Sequence, residues 1–343
     1  MPSSINNEFA LTEEQKEHWM QYGFIKLQNC FTREQADKFT SSIWTRLGAS
    51  PDDKSTWPTE KLNMPGHTVI SAAEFAPRAW AAMCELVGGE DRIVDFAKDW
   101  KDGFIVNMGK PEYKPDDPLN FRTLDNWHND GDWFTHFLDS PEQALLVIPL
   151  FTDIKPRGGG TVICTDGIKP IAQRLYDHPD GLTPFMAKRG TPDLPPGPER
   201  RAYWNSLVTN PAITRDESFH EAHGSVGDVY LLHPFMLHSA SRNLLRTVRI
   251  ITNPPVALKE PFNYNRADPK EYSLVEKKTL HDLGRPEGLP EWKITMPRER
   301  VEPARVKRQE ELKRQELERL KKEGVPVNKM EGARELQSLV YPS

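Results

Sequence analysis

Over the first hundred residues the apolar positions are spaced mostly for helices. Thr12 followed by Gln15 forms a capping box ahead of a short run that Gly23 can end. Phe24-Ile25-Lys26-Leu27 then predicts a strand. Thr32 with Gln35 repeats the capping box, with Gly48 as its stop, and PRAWAAMCEL at 77–86 predicts a third helix. From about residue 103 the pattern shortens. The apolar runs at 104–106, 144–151, 161–164, 229–232 and 248–252 are strand-length and bounded by Gly, Pro or Asp. Helices do not alternate with them, so a parallel doubly wound sheet is disfavoured. The expected class is mainly β with surrounding helices, an antiparallel sandwich or jelly roll.

Proline sharpens this picture. The chain has 30 prolines among 343 residues, well above the usual ~5%. So many prolines disfavour a bundle of long helices and suit short strands joined by long loops. Residues 179–200 hold six prolines and three glycines, which predicts a long irregular loop. The segment 297–323 is the opposite, dense in charge, with Glu310/Arg314 and Glu318/Lys322 four apart and Gly324 as a stop. It predicts a solvated helix lying on the domain; a second reading has it pair two copies into a homodimer.

Charge and cysteine content narrow the function classes. With 45 Lys+Arg against 50 Asp+Glu the formal charge is −5, which argues against a general nucleic-acid or anionic-membrane surface. No run of ~18 apolar residues is present to span a bilayer. Cys30, Cys84 and Cys164 are far apart and odd in number, giving neither a disulfide framework nor a CxxC zinc pattern. The opening MPSSINNEFA lacks a signal-peptide pattern, and Tyr341-Pro342-Ser343 is not a peroxisomal tripeptide. The expectation is a soluble cytoplasmic protein.

Three segments carry chemistry. In Asn126-Trp127-His128-Asn129-Asp130, His128 and Asp130 stand two apart, so on an extended segment they share a face and offer two corners of a metal site. In 227–238 (GDVYLLHPFMLH) a distant histidine is available. Two His and one carboxylate are the donor set of the facial triad of non-haem Fe(II) oxygenases, which leaves three positions open. In 242–255, Arg249 lies on a predicted strand, where a guanidinium matches a carboxylate bidentately.

Taken together, NWHND, GGGT, GDVYLLHPFMLH and VRIITN resemble the phytanoyl-CoA hydroxylase-like (PhyH) branch of the Fe(II)/2-oxoglutarate-dependent dioxygenases. The stretch LTEEQKEHWMQYGFIKLQNCFTREQ also resembles that family's opening helix–strand–helix, and the likeness covers roughly residues 11–256. The resemblance implies a double-stranded β-helix core. It implies His128, Asp130 and His238 as iron ligands, Arg249 as partner of the distal carboxylate of 2-oxoglutarate, and Thr161 and Asn126 as polar groups near that co-substrate. It further implies molecular oxygen as a reactant and a small organic substrate. One departure is plain: Thr165-Asp166-Gly167-Ile168 replaces the family's P-G-S-H turn.

Other residues compete for these roles. The resemblance favours His238 over His233, leaving His233 to pack beside Pro234. Asp132 is too far along an extended segment to replace Asp130. His220-Glu221-Ala222-His223 has its histidines three apart rather than the four of a zincin helix, and is expected to be a loop or helix end. His136, Trp133, Phe134 and Tyr230 read as packing residues, and Lys110, Lys114 and Arg122 as solvated charge. Two other function classes are a jelly-roll binding protein that has lost catalysis, and a zinc hydrolase. The intact triad with Arg249 argues against the first, and Arg249 with no clear general-base glutamate against the second. The expected organisation is a dioxygenase domain at 1–296, helical over 1–100 with its core at about 103–256, followed by a charged extension at 297–343.

Overall fold

A computed structural model describes residues 9–324 and the short strand at 334–335. The terminal tripeptide 341–343 and the first eight residues lie outside the described residues. Helix α1 (Glu13–Tyr22) begins at the Thr12/Gln15 capping box and ends at Gly23 in the left-handed conformation. Strand β1 (Phe24–Leu27) follows. The second capping box opens α2 (Arg33–Thr40), but the helix breaks at Ser41-Ser42 and resumes as α3 (Ile43–Leu47) before Gly48. Serine competes with the helix for backbone hydrogen bonds, and Ser41 Oγ donates to the Lys38 carbonyl at the break.

The region 1–100 is less helical than its pattern predicts, because β2 (Lys61–Asn63), β3 (Thr68–Ser71) and the start of β4 (Asp99–Lys101) fall within it. Between β3 and β4 lie α4 (Ala72–Phe75) and α5 (Pro77–Val87), the latter started by Pro77. Then come β5 (Ile105–Asn107), β6 (Leu145–Pro149), β7 (Thr161–Cys164), α6 (Ile168–Tyr176) and α7 (Ala202–Thr209). The sequence 165–168, unlike the family turn, makes a short 3-10 turn that runs into α6. The last part of the body carries β8 (Phe219–Ala222), β9 (Val229–Leu232), β10 (Leu237–Ala240), β11 (Arg249–Ile251), β12 (Pro255–Val256) and α8 (Leu274–Asp282). Helix α9 (Ala304–Lys322) and β13 (Arg334–Glu335) complete the described chain.

The fold is therefore mixed helix and sheet, and every strand pairing is antiparallel. The strand orders are β1-β9-β6-β12, β10-β7-β8, β11-β5-β2 and β13-β3-β4. One apolar cluster joins the N-terminal helices to the strands, running from Trp19 and Phe39 through Trp100 and Val147 to Val275. Phe31, Phe39, Phe75, Phe104 and Phe151 interlock there with ring centroids 4.9–5.6 Å apart. Cys30, Cys84 and Cys164 are buried and free; burial pushes their thiols up to about 12, 12 and 11. No described helix is long and apolar enough to cross a membrane.

The Pro-rich stretch carries no helix or strand between α6 and a 3-10 turn at Glu199–Arg201. The charged C-terminal helix lies on the domain by one face and keeps most of its positions exposed. Its half-buried Glu316 carboxylate meets Arg46 Nε at 2.6 Å and His67 Nε2 at 3.0 Å. The surface pairs along the helix among the described residues are Glu311–Arg314, Arg314–Glu318 and Arg319–Glu323, not Glu310–Arg314 or Glu318–Lys322.

Candidate metal centre

His128 and His238 lie side by side although 110 positions separate them in the sequence (238 − 128). The His128 amide donates to the His238 carbonyl at 3.1 Å, and the His238 amide donates to the His128 carbonyl at 3.0 Å. The ring centroids stand 4.2 Å apart. Each ring is oriented through its other nitrogen: His128 Nδ1 is 2.7 Å from the Asn126 carbonyl, and His238 Nδ1 is 3.1 Å from the Met236 carbonyl. A carbonyl only accepts, so in the neutral ring each Nδ1 carries the proton and each Nε2 keeps a free lone pair.

Both free nitrogens face one oxygen. Asp130 Oδ1 is 3.4 Å from His128 Nε2 and 3.6 Å from His238 Nε2. One ligand atom from each residue falls within 4.8 Å of the others. Burial alone would push the Asp130 carboxyl up, but His238 and His128 outweigh it and hold it below the ordinary carboxylate range. Burial pulls His238 down, and Asp130 more than reverses that. Two neutral nitrogens and one carboxylate converging on one point, with second-sphere carbonyls fixing the rings, suit a divalent first-row metal that keeps open positions.

The strand register extends the site in one direction. His238 on β10 is directly opposite Ile163 on β7, and Ala240 is opposite Thr161. Thr161 therefore shares the sheet face of His238, one pair further on. Thr161 is a largely buried residue, and its hydroxyl makes no hydrogen bond among the described residues. Two residues beyond Thr161, the Gly159 carbonyl accepts from Arg249 Nε at 2.9 Å and from Asn107 Nδ2 at 3.4 Å. The glycines explain how backbone comes so close. Gly159 has φ +81, and a Cβ there would stand 2.6 Å from Asn107 Nδ2.

Arg249 is 2% exposed. Its Nη1 reaches the Ile105 carbonyl at 3.4 Å, its Nη2 has no acceptor among the described residues, and it forms no ion pair there. Burial pushes its guanidinium down to about 10, with only Glu221 pulling it back. A buried cation held by neutral carbonyls alone is a costly arrangement, which an anionic partner would relieve.

Asn126 enters through its carbonyl, which orients His128. His233 points away, with Nε2 3.0 Å from Thr279 Oγ1 on α8, and burial pushes it down to about 3. His136 is buried against the Gly131 carbonyl at 2.8 Å. Asp132 is held by Arg305. The HEAH stretch is a strand rather than a loop or helix end: Glu221 on β8 accepts from the amides of Arg157 at 2.7 Å and Gly160 at 3.1 Å, so its charge is satisfied at a sheet edge. Arg122 is not solvated charge; it clamps the Val208 and Thr214 carbonyls, each at 2.6 Å, and Asp216. Asn129, between the two ligands, accepts from Trp204 Nε1 at 3.0 Å. Its place between His128 and Asp130 could have flagged it, but Trp204, 75 residues away, could not be found from sequence.

No family model matches the chain, and no curated protein matches it. Several solved structures are similar in part. HygX from Streptomyces hygroscopicus, solved with nickel and 2-oxoglutarate bound, is 14% identical, covering 73% of this chain and 88% of its own, with a TM-score of 0.42. SnoK, a non-heme alpha-ketoglutarate-dependent carbocyclase from nogalamycin biosynthesis, is 15% identical over 75% of this chain and 87% of its own, with a TM-score of 0.38. The hypothetical protein JW0805 from Escherichia coli is 14% identical over 72% of this chain and 68% of its own, with a TM-score of 0.44. Likeness at this level assigns no activity.

Proposed function

We propose that the chain is a non-haem Fe(II)/2-oxoglutarate-dependent oxygenase of PhyH-like type, built on a jelly-roll core. It oxidises a C–H bond of a small organic molecule, by hydroxylation or a related desaturation or cyclisation, with release of succinate and carbon dioxide. The catalytic unit is 1–296, and the protein works in the cytoplasm. One observation carries the reading. The buried Arg249 guanidinium, without an anionic partner among the described residues, donates to the carbonyl of Gly159, two residues before Thr161, and Thr161 shares the sheet face of His238 in the His–Asp–His cluster. A dianionic co-substrate reaching from the metal to Arg249 answers both needs at once.

His128, Asp130 and His238 would hold the iron. When bound, iron with 2-oxoglutarate supplies the oxidising power to break an unactivated C–H bond. The chain's own work is placement. Arg249 pairs with the far carboxylate of the co-substrate, and the Thr161 hydroxyl is placed to donate along its length. The Asn126 and Met236 carbonyls keep both Nε2 lone pairs aimed inward. His238 is 9% exposed at its side chain against 27% for His128, so substrate approaches from the His128 side.

The test is anaerobic titration of the protein with Fe(II) and 2-oxoglutarate, followed by the metal-to-ligand charge-transfer band. The band is expected in wild type and weakened in His128→Ala and Arg249→Ala. Its absence in wild type would sink the oxygenase reading. Succinate release then screens substrates.

A further inference from the structure

The segment leaving the ligand pair is tied down by the C-terminal arm, 297–323. The Thr135 amide donates to the Glu299 carbonyl at 2.9 Å, and the Val301 amide donates to the Trp133 carbonyl at 2.9 Å. Between them Phe134 and Arg300 form an antiparallel bridge. Arg305, in the first turn of α9, sets Nε and Nη2 against the two Asp132 oxygens, each at 2.6 Å. Its guanidinium also lies 5.8 Å from the Trp133 ring centroid.

Asp132 is two residues past Asp130, and the Gly131 between them is closely packed. Gly131 sits at φ +119, and a Cβ there would stand 2.5 Å from His136 Cε1 and 2.7 Å from Phe134 Cζ. Where Asp132 is held therefore sets how Asp130 faces the two histidines. The Arg305–Asp132 pair is 53% and 34% exposed, so it adds little to global stability. A two-point fork nevertheless fixes direction. At the far end of the arm, Glu316 meets Arg46 and His67, while Arg319 donates to the Thr45 and Arg46 carbonyls at 3.2 and 2.6 Å. The arm is thus anchored at one end and grips the ligand loop at the other.

We propose that this arm is a positioning element of the metal centre, with Arg305 holding Asp132 so that the Asp130 carboxylate stays aligned with His128 and His238. The inference rests on the metal-centre reading above, and its experiment separates the two. Fe(II) is titrated anaerobically into full-length wild type, Arg305→Gln, Arg305→Lys, Asp132→Asn and the Arg305→Gln/Asp132→Asn double variant, by calorimetry. Thermal unfolding of each is followed with chelator present. Arg305→Gln and Asp132→Asn should each weaken metal binding about 10-fold, within the range of second-sphere losses. The double variant should be no worse than either single one, and Arg305→Lys should recover part of the loss. Metal-free melting temperatures should stay within about 2 °C of wild type. Wild-type binding with Arg305→Gln affinity within twofold of it overturns this inference alone. Weakened binding that comes with a collapse of the metal-free melting temperature and no rescue by lysine also overturns it. Wild type that binds no metal overturns both readings.

Discussion

His128 and His238 exchange two main-chain hydrogen bonds, at 3.1 and 3.0 Å. The two imidazoles are brought together by backbone, not by their rings. Replacing either ring by alanine should leave that bridge and the fold in place while removing a ligand. His238→Ala is expected to show an unchanged circular dichroism spectrum and to lose at least ~100-fold in Fe(II) affinity. Equal metal stoichiometry in variant and wild type, measured after anaerobic gel filtration, would contradict this.

Arg249 should trade stability for binding. Arg249→Met removes a buried charge that lacks an anionic partner among the described residues. Such replacements are often neutral or stabilising, so the ligand-free protein should melt no lower than wild type. The same change should cost about 2–5 kcal/mol of 2-oxoglutarate binding, ~30-fold or more. Calorimetry with 2-oxoglutarate in the presence of a redox-inert divalent metal reads this out, and undiminished affinity would refute it.

Gly159→Ala should damage both fold and site. The left-handed conformation costs about 1–2 kcal/mol for a residue with a Cβ. That Cβ would also meet Asn107 Nδ2 at 2.6 Å and Asn243 Cβ at 2.7 Å. We expect a lower urea midpoint together with weakened co-substrate binding, because the same carbonyl positions Arg249. A variant with wild-type values for both would show that this turn does not matter.

Glu316→Ala should cost about 2–4 kcal/mol in urea unfolding. Arg46, 1% exposed at its side chain, keeps Asp102 at 3.3 Å and loses the closer carboxylate at 2.6 Å. Glu310→Ala, on the same helix but without an ion-pair partner among the described residues, should change stability by less than ~0.5 kcal/mol. Equal effects of the two would contradict the docked geometry of α9.

Acid should destabilise the fold through two buried histidines. Burial pushes His233 down to about 3 and His136 to about 4, from an ordinary 6.5. Below pH ~6.5 the unfolded chain takes up protons that the folded one refuses, so stability present above that pH is lost as pH falls toward 4. Each histidine contributes up to ~1.4 kcal/mol per pH unit in that window. The urea midpoint should drop between pH 7 and 5, less steeply in His233→Gln; the same midpoint at both pH values is the contrary result.

Features whose partners lie close in sequence are legible in it. The capping boxes at Thr12 and Thr32 span four residues each, and both form. The spacing of His128 and Asp130 likewise states their common face. What stays hidden is set by contacts far along the chain. Glu316 sits in a run of charges that reads as solvent-facing, yet its partners Arg46 and His67 are 270 and 249 residues away. Glu221 looks like part of a polar loop until Arg157 and Gly160 present their amides, 64 and 61 residues off. Arg122 reads as solvated charge because Thr214, which it clamps, is 92 residues downstream.

The three sealed thiols have a consequence for the proposed iron and oxygen chemistry. Thiolate, not thiol, is the form that oxidants attack readily. With Cys30 and Cys84 pushed up to about 12 and Cys164 to about 11, the thiolate fraction at neutral pH is vanishingly small. Oxidants released by an uncoupled turnover would find no reactive thiolate among the three cysteines to consume. Inactivation should then fall on the metal ligands and the surrounding aromatics, and thiol reductants should do little to protect it.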